Sequence, residues 1–241
     1  MEYTALAGVC QWLTPEPLLT PEGNVAAFAP WVDPLPAAAR VLDCACGAGT
    51  LAVGLALRGF DTFASDASPS MVERTRGLAV AHGVDVHARV CAWEALPPDP
   101  DFEAVFCVGN SLAHAADRRA ALTAMARVLR PGGVLVLTSR NWERELAAGS
   151  RLEVDDRLTE RDGRRGLITR AWTVGADAVT LDVAVSIIAA DGTVATAAER
   201  LRVWPFTADD LLDDLRSAGL EPRQNTYTPE SERYLVTASR A

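Results

Sequence analysis

Short apolar runs and amphipathic segments alternate along the first 140 residues of the chain. Val25, Phe28, Ala29 and Val32 recur at near-helical spacing, which predicts a helix within residues 16–32 that ends before Pro34. RVLDC at 40–44 reads as a short apolar strand leading into the glycine-containing turn ACGAG. Thr50 to Leu57 then forms a helix stopped by Gly59, and FDTFAS is a second strand ending at Asp66. Ser68 caps a helix that opens on Pro69, runs to about Ala81 and closes at Gly83. VDVHARV and FEAVFCV are the third and fourth strands. Asp117 to Leu129 is a helix ended by Pro131-Gly132-Gly133, and VLVLTS is the fifth strand. Such alternation predicts a doubly wound α/β fold, a mostly parallel sheet with helices on both faces.

The pattern changes after about residue 150. RLEVDDRLTERDG, LITRAWTVG, AVTLDVAVSII and VATAAERLRVWPF alternate, carry β-branched residues and are separated by Asp-Gly or Gly turns, so three or four antiparallel strands are expected. Thr207 caps a further helix with acids in its first turn, and its acidic run TADDLLDDL reads as a solvated face. Residues 220–227 and 233–239 supply two closing strands, giving a seven-stranded sheet with an antiparallel β insertion after the fifth strand. The expected division is a core at 1–150, an insertion at 151–206 over the ligand edge of the sheet, and the last helix and strands at 207–241.

Composition narrows the function. The net charge of −9 argues against nucleic acid or an anionic membrane as partner. All 23 basic residues are arginine, which excludes Schiff-base lysine chemistry and a P-loop lysine and points to a GC-rich bacterial genome. Cys10, Cys44, Cys46, Cys91 and Cys107 are odd in number and lack paired metal spacing, so they read as small reduced core residues, and no metal is expected. The start MEYTALAGVCQWL has neither the basic residues nor the apolar run of a secretory leader, and no stretch reaches the roughly 20 apolar residues of a membrane span. A cytoplasmic protein is expected, with a small-molecule partner; a homodimer is allowed, oligomeric state being otherwise open.

In such sheets ligands bind outside the carboxyl ends of the strands. GAGTLA at 47–52 fits the G-x-G-x-x-A dinucleotide pattern, and Asp66 lies 19 residues after Gly47, where a ribose-binding acid belongs. A nicotinamide or flavin enzyme is therefore one reading. Against it, Asp43 and three more residues stand between strand and first glycine, and an acid there repels a pyrophosphate while favouring a cation or ammonium group. The stretch FCVGNSLAHA ends a buried strand in Gly109, Asn110 and Ser111, with His114, one of only three histidines, close behind.

VLDCACGAGT closely resembles the first motif of class I S-adenosylmethionine-dependent methyltransferases. FCVGNSLAHA, LRPGGVLVLTSRNWE, CAWEAL, VTLDVAV and LRVWPFTADDLL are similar to stretches of the glycine/sarcosine N-methyltransferase branch, so the resemblance covers most of residues 38–219. It implies a Rossmann-like methyltransferase with S-adenosyl-L-methionine as cofactor and S-adenosyl-L-homocysteine as product. By the same resemblance Asp43, Ala45, Gly47 and Gly49 line the methionine part, Asp66 holds the ribose with Ala67 also at the cofactor, and Met71, Ala92 and Trp93 surround the adenine. Trp12, Val108 and Asn110 complete the cofactor set. Asn110 and His114 then stand between cofactor and acceptor, Arg140 clamps an acceptor carboxylate, and Trp142, Trp204 and Tyr3 face the acceptor. Ala92, Ser139, Trp142 and Trp204 replace, in turn, the branch's Asn or Asp, its His and two of its Tyr residues. N-methylation of a carboxylate-bearing amine is the implied activity; O- or C-methylation in natural-product biosynthesis and non-catalytic cofactor binding are the alternatives.

Overall fold

The computed structural model describes residues 5–97, 101–155 and 159–241. The N-terminal segment carries α1 (Cys10–Leu13), α2 (Pro21–Ala27) and α3 (Ala29–Val32). The single helix expected over 16–32 is thus broken. The Thr20 hydroxyl accepts the Gly23 amide and starts α2 afresh, and Phe28, at φ −110°, separates α2 from α3. Pro17, Pro21 and Pro30 each lack the amide that a continuous helix would use.

The core then runs β1 (Arg40–Cys44), α4 (Thr50–Leu57), β2 (Asp61–Asp66), α5 (Pro69–His82), β3 (His87–Val90), β4 (Phe102–Cys107), α6 (Arg118–Val128) and β5 (Leu129–Arg140). After α7 (Trp142–Ala147) come β6 (Arg151–Val154), β7 (Thr159–Arg161), β8 (Arg164–Val174), β9 (Val179–Ile188) and β10 (Val194–Val203). The chain returns through α8 (Ala208–Ser217), β11 (Leu220–Asn225) and β12 (Arg233–Arg240).

Seven strands form one sheet in the order β11-β12-β5-β4-β1-β2-β3. β1 to β5 are parallel, while β12 runs antiparallel between β5 and β11. The chain moves outward from β1 to β3 and resumes at β4 on the other side of β1, so strand order reverses there. Both faces are covered, which is why the strands read as unbroken apolar runs. Val41, Ala104, Phe106 and Val136 pack with Val25, Phe28, Leu51 and Leu55. Leu42, Val105, Cys107 and Leu135 pack on the opposite face with Leu122, Met125 and Leu215.

Three expectations shift at their edges. β3 is confined to His87–Val90, after the left-handed cap Gly83. β5 begins at Leu129, ahead of the Pro-Gly-Gly, and takes up the irregularity as a register shift opposite Phe102 and Ala104. The acidic run of α8 is not all solvated: helical period puts Asp214 on the face of Leu211 and Leu215, where it is buried and ion-paired with Arg118 and Arg119.

Strands β6 to β10 form a second, antiparallel sheet, β10-β9-β8-β6, with β7 also on β8. It has five strands where three or four were expected, because RLEVDDRLTERDG supplies two short strands that both pair with β8. The N-terminal segment is fastened to this sheet. The Leu6 amide donates to Glu199, and Trp12 lies so close on Gly166 that an added Cβ there would stand 2.3 Å from its ring. Arg161 reaches over Trp12 and pairs with Glu16. No helix among the described residues is long and apolar enough to cross a membrane.

Candidate active site

A cavity of about 1350 Å³ opens at the carboxyl ends of β1, β2 and β4, where strand order reverses. Its floor begins at β1. Ala45, Gly47 and Gly49 all adopt positive φ, folding the chain sharply between Asp43 and α4. At Gly49 a Cβ would lie 2.6 Å from the Thr75 side chain, and the Thr75 hydroxyl donates to the Gly47 carbonyl, so α5 braces the loop. Asp43 is buried and accepts the Ala52 amide at 3.1 Å. Burial pushes its carboxyl up to about 7, outweighing that amide, and the Asp66 charge adds to the rise.

Asp66 ends β2. One carboxylate oxygen accepts the Gly47 amide at 2.9 Å and the other the Ser68 amide at 2.8 Å, which leaves lone pairs on both for a ligand. Ala67, Met71, Ala92 and Trp93 carry the wall onward. The buried indole N–H of Trp93 has no hydrogen-bond partner among the described residues, and neither does the buried side-chain oxygen of Gln11, a lining residue from α1.

Beyond β4 the loop Val108-Gly109-Asn110 is stitched to the end of β5. Gly109 and Asn110 are both left-handed. The Gly109 amide donates to the Thr138 hydroxyl at 2.8 Å, and Asn110 Oδ1 accepts the Arg140 amide at 2.9 Å. Val108, His114 and Trp204 line the cavity. His114 is pulled down to about 4 by burial, against a hydrogen bond to the Arg202 backbone, so it is neutral at physiological pH.

Not every expected residue reaches the cavity. Gly49 and Asn110 shape its loops without lining it. Trp12 packs on β8, and Trp142 is fully buried with its ring against Trp172. Arg140 pairs with Glu145 at 2.7 Å and lies 5.2 Å from the Trp172 ring instead of entering the cavity. Tyr3 falls outside the described residues. The structure adds Gln11, Thr138, Arg233 and Tyr234 to the wall. Only the strand alternation of RYLVTASR hinted at the last two, and nothing in the sequence singled out Gln11. All five cysteines are free; burial raises the thiols of Cys44, Cys46 and Cys107, which makes them poor nucleophiles. Among the described residues no group of three or more His, Cys, Asp or Glu is placed to hold a metal ion.

A family model described as a methyltransferase domain matches residues 41–133, from β1 into β5. The chain is 32% identical over 201 residues to glycine N-methyltransferase of Oryctolagus cuniculus, an alignment covering 74% of this chain and 68% of the relative. Among solved structures it is similar to an S-adenosylmethionine-bound amino pentose methyltransferase of Micromonospora echinaspora involved in calicheamicin biosynthesis. That pair has a TM-score of 0.77 and 23% identity, covering 100% of this chain and 98% of the other. A sugar N-methyltransferase of Streptoalloteichus sp. gives a TM-score of 0.70 and 28% identity over 89% of this chain and 87% of the other.

Proposed function

This chain belongs to the class I S-adenosylmethionine-dependent methyltransferases, and we propose that within them it methylates the nitrogen of a small-molecule amine that carries an anionic oxygen group. One observation carries the choice of nitrogen: among the described residues, neither His114 nor Tyr234 at the acceptor end of the cavity is a base matched to neutral pH. His114 is held near 4, and Tyr234 is pushed up to about 12 by burial. The lining carboxylates Asp43, Asp66 and Glu94 stand at the cofactor end, at the carboxyl ends of β1 and β2 and beside Trp93. A neutral amine brings its own lone pair, whereas a phenol or carbon acceptor must surrender a proton to a positioned base. The glycine and sugar acceptors named for the relatives support the same choice.

The residues at the floor fit the cofactor. S-adenosylmethionine, when bound, supplies a methyl group activated on a sulfonium. Asp43 and the left-handed loop Ala45–Gly49 suit its ammonium-bearing end, Asp66 its ribose hydroxyls, and Met71, Ala92 and Trp93 its adenine. The partnerless Trp93 N–H and Gln11 oxygen supply a donor and an acceptor toward a polar ligand. At about 1350 Å³ the cavity exceeds the roughly 300–1,000 Å³ of a single-ligand site, leaving room for an acceptor beside the cofactor. Asn110 acts as a positioning residue: its Oδ1 is committed to the Arg140 amide and fixes the loop that brings Val108 and Gly109 to the cavity. Holding donor and amine together in this way is worth up to about 7–11 kcal/mol of barrier.

Release of S-adenosylhomocysteine, followed across amino acids, N-methyl amino acids, uncharged amines, amino sugars and phenols, tests the reading. Turnover on amines is expected, with His114→Asn keeping activity within about tenfold and adding no new limb to the pH profile. Turnover confined to phenols, with activity lost in His114→Asn, overturns it in favour of O-methylation.

A further inference from the structure

Arg233 opens β12 directly across from Arg140 on β5, so the two side chains leave the sheet on the same face. Thr138 and Leu235, the next facing pair, line the cavity together with Arg233. The arginines around it are already matched. Arg140 and Arg151 share Glu145, and Arg170 pairs with Asp155. Arg233 makes no ion pair among the described residues, and the Glu232 side chain beside it is largely exposed and turned to Arg144. Arg233 keeps solvent access at the cavity edge, and the surrounding protein, with the charges of Arg140 and Arg170, lowers its pKa below the usual arginine value against the opposing pull of Glu145 and Glu232. Arg233 is thus a cavity-lining cation beside two other arginines, with the nearby carboxylates Glu145 and Glu232 paired elsewhere, which leaves its fork open to an anion.

We propose that Arg233 selects the acceptor, its guanidinium fork receiving the paired oxygens of a carboxylate or phosphate on the amine substrate. The arginine that the sequence resemblance pointed to, Arg140, is spent on Glu145, and its strand partner takes the open position. A planar fork matches such an oxygen pair in two parallel hydrogen bonds, which fixes the amine relative to the sheet as well as holding it. The assignment rests on the amine-acceptor reading, yet the binding it describes needs no turnover.

The test titrates acetate and, separately, inorganic phosphate into the complex with S-adenosylhomocysteine, following the Arg233 Nε–H resonance by nitrogen-15 NMR. Wild type is expected to show a saturable shift with at least one of the two, and the tighter one identifies the anion. Arg233→Gln should weaken that binding by about tenfold or more, and Arg233→Lys by less, since a charged hydrogen bond is lost or made singly. Affinity for S-adenosylhomocysteine, measured by calorimetry, should stay within about twofold in both, which also shows that the fold is intact. Arg140→Gln should leave anion binding within about threefold. With an active acceptor, converting its carboxylate to an amide should raise KM in wild type and make no difference in Arg233→Gln. Anion binding that survives Arg233→Gln, disappears instead in Arg140→Gln, or is absent from wild type overturns the assignment. Saturable binding at Arg233 together with turnover only on phenols would leave Arg233 in place and remove the amine reading alone.

Discussion

Asp43 sits at the inner end of β1 with the Ala52 amide as its hydrogen-bond donor, and its titration follows from that burial. Its folded pKa of about 7 lies above the ordinary 3.8, so the fold disfavours its charge. Its contribution to stability is complete below 3.8, where folded and unfolded chains both hold the proton, and is lost as pH climbs to about 7. Ligand binding runs the other way, because a bound ammonium selects the ionised carboxylate. Affinity for S-adenosylhomocysteine should therefore rise with pH up to about 7, being about thirtyfold weaker at pH 5.5 than at 8, and Asp43→Asn should flatten the curve in calorimetry. Residues such as Asp43, Gly47 and Asp66 were legible in the sequence because their constraint is local: an acid ends a strand, a turn needs positive φ, and a second acid follows at fixed spacing. Arg140 and Arg233 were not distinguishable in that way. Which of two arginines is free depends on a cross-strand register and on the reach of Glu145 from the next helix, and neither is written in local pattern.

At the scale of elements, helices with strong end signals matched expectation: Gly59 after α4, Ser68 and Gly83 around α5, Asp117 before α6 and the Thr207–Asp210 capping box of α8. Elements defined by their neighbours were harder to read. The N-terminal helix broke where three prolines outweighed an apolar periodicity, and β6 and β7 took shape only because β8 offered each an edge. Asp214 is buried because Arg118 and Arg119 of α6 lie opposite it, something composition alone reads as a solvated charge. Gly166 on β8 belongs to the same group. Gly166→Ala should cost about 1–3 kcal/mol through overpacking against Trp12. The expected signs are a lower thermal midpoint and a red-shifted indole emission, absent when Trp12→Phe is the background.

On the scale of the whole molecule, the cavity has the first sheet for a floor and the N-terminal segment, with Trp204 after β10, for a roof. Leu6 on Glu199, Trp12 on Gly166 and Arg161 on Glu16 join that segment to the second sheet, so the roof is one piece. A roof fastened as one piece would move as one piece, over cofactor and acceptor together. If the methylated product and the spent cofactor leave only when that roof lifts, turnover is expected to follow the lifting and not the bond being made. Friction, in that case, is the brake: relative turnover plotted against relative solvent viscosity should rise with a slope of about one, whereas a slope of about zero would mean that ligands slip past a roof that stands still.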